Sequence, residues 1–138
     1  DRRTTSRHKI IKMECQKLKL SPLGHTWIFD IDGTIVKHNG YKLDGKDTLL
    51  DGAKSFLDNI PEGDMIVFIT SRTDEYKQLT IDFLAEKGIR YNHIIFNAPY
   101  GERLIVNDDK PSGLHCSVAI NLKRDNFNIG SLEIDENL

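Results

Sequence analysis

Two runs of the chain are apolar throughout, where a half-exposed strand would alternate: His25–Ile31 (HTWIFDI) and Met65–Thr70 (MIVFIT). Runs of this kind read as strands buried on both faces, which is the habit of parallel sheets flanked by helices. Helical patterns fall where crossovers are needed. Thr48–Asn59 (TLLDGAKSFLDN) puts Leu49, Leu50, Ala53, Phe56 and Leu57 on one face, and Asp74–Lys87 is amphipathic with Gly88 as its C-cap. Three shorter runs predict further strands, at His93–Phe96, Arg103–Asn107 (RLIVN) and Ser117–Leu122 (SVAINL). The expected fold is α/β, with a mostly parallel sheet of about five strands. Val36–Asp47 reads as a loop or small hairpin, and the last 14 residues as a polar, partly ordered tail.

The chain has 138 residues, enough for one domain with its own core. Its net charge of −2 hides an asymmetry. Residues 1–24 carry seven basic and two acidic side chains, and residues 25–138 carry 12 basic and 19 acidic ones. The expected division is therefore a basic extension or linker over 1–24, with a short helix over 8–20, and a folded domain over 25–138. The extension is expected to join an upstream domain or to pack on a neighbouring subunit. No apolar run approaches the roughly 18–20 residues of a membrane span, and no apolar segment of a secretory signal follows the basic start. Cys15 and Cys116 make neither a disulfide scaffold nor a four-ligand zinc site, which suits a reducing cytoplasm.

The strands end in polar residues. Asp30 and Asp32 close the first, Thr70-Ser71-Arg72 the second, Asn97 the third, and Asn107-Asp108-Asp109-Lys110 the fourth. In a parallel sheet these C-terminal ends share one edge, where ligands bind. Within Asp30-Ile31-Asp32-Gly33-Thr34 the two aspartates point the same way along extended chain, and Gly33 lets it turn sharply away. Unpaired buried carboxylates are costly, so a set of four gathered at one edge argues for a function.

Asp30–Thr34 resembles the first motif of the haloacid dehalogenase-like (HAD) phosphatases. Thr70, after an apolar strand, resembles their second motif, and Asp108-Asp109, after RLIVN, their fourth. The resemblance implies a three-layer, Rossmann-like core and a Mg²⁺-dependent phosphomonoesterase. Asp30 would be the nucleophile, forming an aspartyl-phosphate, and Asp32 the acid and then base. Asp30, Asp108 and the Asp32 carbonyl would hold Mg²⁺, with Asp109 as a further ligand or partner. Thr70 and backbone N–H groups near Asp32 and Gly33 would bind phosphate oxygens. Thr34, Ser71 and Arg72 complete the expected substrate-binding set.

The family's third motif is a lysine or arginine. Lys110, next to the aspartates, is the expected residue. Arg103 opens the expected fourth strand, on the order of 15 Å from its active end. The slots in which the family inserts a cap, residues 35–47 and 98–102, are too short for a domain, so the chain resembles the capless branch. GERLIVNDDKPSG resembles small bacterial HAD proteins of capsule and surface-polysaccharide synthesis, which implies a phosphosugar or related metabolite. An open site would be closed by a large substrate or by an oligomeric neighbour. A nucleic-acid 3′-phosphatase is the rival enzyme, but an acidic body is a poor surface for tracking phosphates. A non-catalytic binding domain of this fold is the other rival, and Asp30 and Asp32 argue against it.

Overall fold

The computed structural model describes residues 17–138. In chain order the elements are β1 (Lys17–Leu20), β2 (Thr26–Asp30), α1 (Gly40–Leu43), α2 (Ala53–Asp58), β3 (Met65–Ile69), a 3₁₀ turn (Asp74–Tyr76), α3 (Lys77–Glu86), β4 (His93–Ile95) and β5 (Ser131–Ile134). The protein is α/β, and all strand ladders among the described residues are parallel. β2, β3 and β4 form one sheet in that order, while β1 and β5 pair separately.

The three-stranded sheet is what the apolar runs predict. Register places Trp27 beside Ile66, Phe29 beside Phe68, and Phe68 beside Ile94. These side chains share one face, and Phe56 of α2 packs edge-on against Trp27 and Phe29. Phe29, Ile66, Phe68, Ala53, Leu57 and Leu84 all belong to the buried core. The carboxylate of Asp64 joins the starts of β2 and β3. It accepts the His25 N–H at 3.0 Å and the Trp27 indole N–H at 3.0 Å.

The opposite face differs from expectation. Ile28 is 49% exposed and Ile95 50%, so the described residues cover that face only in part. Continuous apolar sequence here does not mean burial on both faces. Asp30, two residues after Ile28, shares its face and lies on this more open side, where a charged group keeps access to water.

The last two expected strands are absent. Residues 96–130 contain neither helix nor strand. Leu104 is 86% and Val106 93% exposed, and Val118 and Ile120 are about half exposed. A strand-forming composition stabilises extended chain only when a neighbour takes up its N–H and C=O groups. β4 is three residues long and pairs only with β3. It offers RLIVN little edge to join. The count of five is instead made up from the two ends of the described chain. Leu18 pairs with Leu132 and Leu20 with Ile134. Lys17–Leu20, expected at the end of a helix, is thus a strand, and the expected tail supplies its partner. Residues 8–16 of that expected helix, with Cys15, lie outside the described residues.

Two local expectations shift in detail. The helix over Thr48–Asn59 forms only from Ala53, because Gly52 in the left-handed region (φ 84°) precedes it. The loop before Asp47 holds the one-turn α1. Gly88 ends α3 at φ 66°, and the Ile89 N–H returns to the Leu84 carbonyl at 2.9 Å. That is the glycine-dependent stop the sequence predicts. No helix of the described residues is long and apolar enough to cross a membrane.

Candidate active site

The adjacent C-terminal ends of β2 and β3 bring Asp30, Asp32, Thr70, Ser71 and Arg72 to one polar cavity of about 250 Å³. Register sets Asp30 beside Ile69, one residue before Thr70. The chain then tightens after Asp32. Gly33 has φ 81°, its N–H donates to the Val36 carbonyl at 2.8 Å, and the Thr34 N–H donates to the Ile31 carbonyl at 3.2 Å. These two N–H groups therefore serve the turn, although they were expected to bind phosphate. A β-carbon on Gly33 would come within 3.1 Å of the Arg124 Cγ, so the glycine also admits that side chain to the cavity.

Asp30 is held from two sides. Its Oδ2 accepts the Thr34 hydroxyl at 3.0 Å, and its Oδ1 meets Arg103 Nη1 at 3.2 Å. Asp30 and Arg103 each keep about a third of their side-chain surface exposed. Thr34 thus orients Asp30. Ser71 lines the cavity, donates to the Pro99 carbonyl at 3.3 Å and lies 3.5 Å from Arg103 Nη2. Thr70 is buried, and its hydroxyl oxygen accepts the Arg72 N–H at 3.0 Å.

Arg72 is wholly engaged within the protein. Nε and Nη2 donate to the two oxygens of Asp32 at 3.0 and 2.9 Å. Nη1 and Nη2 donate to the two oxygens of Asp47 at 2.9 and 2.7 Å, and Nη1 also reaches Thr80 Oγ1 at 3.0 Å. The Tyr41 ring lies 4.0 Å from the guanidinium carbon. Burial works against the charge on Arg72, but the hydrogen bonds and charges of Asp32 and Asp47 outweigh it and raise its pKa. Expected as a substrate ligand, Arg72 has no N–H left to offer one.

The other expected residues lie elsewhere. Asp108, Asp109 and Lys110 are exposed in the irregular segment and do not line the cavity. Asp109 Oδ1 is 3.0 Å from His115 Nδ1, and Lys110 closes a turn in which its N–H donates to the Leu114 carbonyl at 2.9 Å. No three His, Cys, Asp or Glu residues converge among the described residues. Both Asp32 oxygens face Arg72. In this arrangement only Asp30 and the Asp32 carbonyl remain as oxygen donors for Mg²⁺, short of the set the motifs imply.

Several contributors escaped sequence reasoning. A straight fourth strand would hold Arg103 on the order of 15 Å from the active edge; without that strand it reaches Asp30. Asp47 gave no signal in a loop rich in charge. Lys42 and Arg124 line the cavity mouth. Asp125 carries Arg124 there: its N–H donates to the Gly33 carbonyl at 2.8 Å and its Oδ1 accepts the His38 N–H at 2.7 Å. His38 also lines the cavity, and its Nδ1 is buried without a hydrogen-bond partner.

Comparison of the chain with protein-family models, curated proteins and solved structures finds no match. The likeness to HAD phosphatases rests on Asp30–Thr34, Thr70 and Asp108-Asp109 as they stand in the sequence.

Proposed function

We propose that this cavity hydrolyses phosphomonoesters through Asp30, in the manner of a capless HAD phosphatase with a three-layer core. One observation carries the reading. Asp30 stands at the end of a parallel strand, its oxygens steadied by Thr34 and Arg103, at the mouth of a polar cavity that also holds Asp32 and Thr70.

An Asp30 oxygen attacks phosphorus as the bond from phosphorus to the ester oxygen breaks. The departing oxygen takes its proton from Asp32, carried on an oxygen lone pair that Arg72 does not occupy. Asp32, now a carboxylate, takes a proton from water as that water's oxygen attacks the aspartyl-phosphate. Inorganic phosphate leaves and Asp30 is restored. Arg103, Lys42 and Arg124 offset the repulsion between carboxylate and phosphate, and Thr70, which borders the cavity, would donate its hydroxyl to a phosphate oxygen. The motifs also imply Mg²⁺, bound through Asp30, Asp32, Asp108 and Asp109. The present placement of Asp108 and Asp109 does not complete that set, so no step is assigned to the metal. A cavity of about 250 Å³ lies just below the roughly 300–1,000 Å³ of small-molecule sites, so it takes a phosphoryl group together with part of the group that carries it. The remainder of the substrate, for which a phosphosugar or related metabolite is the first candidate, then lies outside it.

The deciding experiment is phosphate release from p-nitrophenyl phosphate and a panel of phosphorylated metabolites, with Mg²⁺ present. Release by the wild type and none by Asp30→Asn supports the reading. A folded wild type that releases no phosphate from any of them overturns it in favour of a binding domain.

A further inference from the structure

We propose that Asp47 is a positioning residue for proton transfer: acting through Arg72, it fixes the carboxylate of Asp32. This rests on the phosphatase reading above and adds to it a residue that touches neither substrate nor reacting atoms. Asp47 is not among the cavity's lining, and its side chain is 1% exposed.

Asp32 is on the tight turn after β2, and its side chain retains 17% of its surface. Nothing on its own turn holds its carboxylate. Both oxygens are gripped by one edge of the Arg72 guanidinium. A guanidinium is planar and rigid, so an acid held on two of its N–H groups takes its plane and distance from it. The direction of that plane is set from behind. Asp47 holds Nη1 and Nη2 with both oxygens, Thr80 of α3 holds Nη1, and Tyr41 covers one face. Thr80 is itself aimed, because its hydroxyl donates to the Tyr76 carbonyl at 2.7 Å and so turns its lone pairs to Arg72. Remove Asp47 and two of the five N–H bonds go, one from Nη1 and one from Nη2, the nitrogen that also holds Asp32. From behind, only Thr80 and the Tyr41 ring then hold the guanidinium, which can turn about its Cδ–Nε bond and take Asp32 with it.

A purely structural role for Asp47 would lower stability and change all substrates alike. Positioning predicts a dependence on the leaving group. The p-nitrophenolate ion departs without a proton, whereas an alkoxide must be protonated as it leaves. The test compares Asp47→Asn with wild type on p-nitrophenyl phosphate and on glycerol phosphate. Both are assayed well below the unfolding midpoint read from Trp27 fluorescence. The expected result is a kcat for glycerol phosphate that falls about 10–100-fold further than that for p-nitrophenyl phosphate, from general acid catalysis and its sensitivity to a displacement of about 1 Å. KM values should stay within about 2-fold, since ground-state binding is not touched. Thr80→Val removes one anchor and should move the same ratio by less; it decides the matter if Asp47→Asn does not fold. Equal losses on both substrates, or a change in KM alone, overturn the proposal and leave the phosphatase reading intact. A wild type inactive on both overturns the reading and the proposal together.

Discussion

Replacing Asp64 tests how the sheet that carries the site is held. Asp64 immediately precedes β3 and is buried at 7% exposure. Its carboxylate takes the His25 N–H and the Trp27 indole N–H, each at 3.0 Å, and His25 Nδ1 lies 3.7 Å away. Arg90 reinforces the same corner by donating to the carbonyls of Asp64 and Pro61, at 3.2 and 2.7 Å. A hydrogen bond to a charged group contributes about 1.5–3 kcal/mol. Two such bonds are lost in Asp64→Ala, and water reaches the half-buried indole to replace part of one. The expected loss is about 2–4 kcal/mol. At a urea dependence of about 2 kcal/mol per molar, the midpoint falls by about 1–2 M. Asp64→Asn keeps one acceptor oxygen and should lose about half as much. Trp27 is the only tryptophan, so its fluorescence reads the transition from within β2.

The sign of the pH dependence follows from the same contacts. Burial raises the Asp64 pKa, but the hydrogen bonds from His25 and Trp27 and the nearby imidazole outweigh it, and the net shift is downward. A carboxylate whose pKa is depressed by folding stabilises the protein above its unfolded value, near 4. That contribution is lost as pH falls through the folded value. The gap between wild type and Asp64→Asn should be constant from pH 7 to about 5 and close below about 4. A midpoint change under about 0.3 M for Asp64→Ala, against the size expected of two charged hydrogen bonds, would refute the reasoning. So would a gap that keeps its width down to about pH 2.5, because the carboxylate would then not be the group responsible.

Asp30→Asn should release no phosphate while keeping the unfolding free energy read from urea titration within about 0.5 kcal/mol of wild type, the usual bound for a partly exposed site. Arg103→Met should raise KM for p-nitrophenyl phosphate about 10-fold, the value of a charged hydrogen bond lost at a partly exposed site; an unchanged KM would remove Arg103 from phosphate binding. The steps drawn from the residues in place need no metal, whereas the motifs imply Mg²⁺: turnover stopped by chelation and restored by Mg²⁺ would show that Asp108 or Asp109 completes the site in solution. Turnover that survives chelation would take Mg²⁺ out of the mechanism.

Where the sequence was legible, one physical rule decided the structure. MIVFIT and HTWIFDI form adjacent strands because no other part of the chain offers such apolar runs, and Gly88 stops α3 because its backbone turns left-handed there. The carboxylates of Asp30 and Asp32 reach one cavity because they follow the strand directly. What was not legible depends on partners distant in sequence. Asp47 is one charge among several in its loop, and only the fold brings it to Arg72 across 25 residues. The pairing of Lys17–Leu20 with Ser131–Ile134 spans almost the whole described chain.

The segment RLIVN carries the most instructive difference. Its composition is that of a strand, yet Leu104 and Val106 stand in solvent. A strand here would have two linked consequences: Asp108 and Asp109 would lie at the edge with Asp30, and Arg103 would lie far from it. Both fail together once pairing is absent, since both derive from one straight extended span. Arg103 then turns back to Asp30, and the aspartates pass to the surface beside His115. The cation held against the candidate nucleophile and the absence of a converged acidic cluster among the described residues are thus two results of one backbone course. Propensity supplies the tendency to extend, and an available edge decides where the extended chain runs.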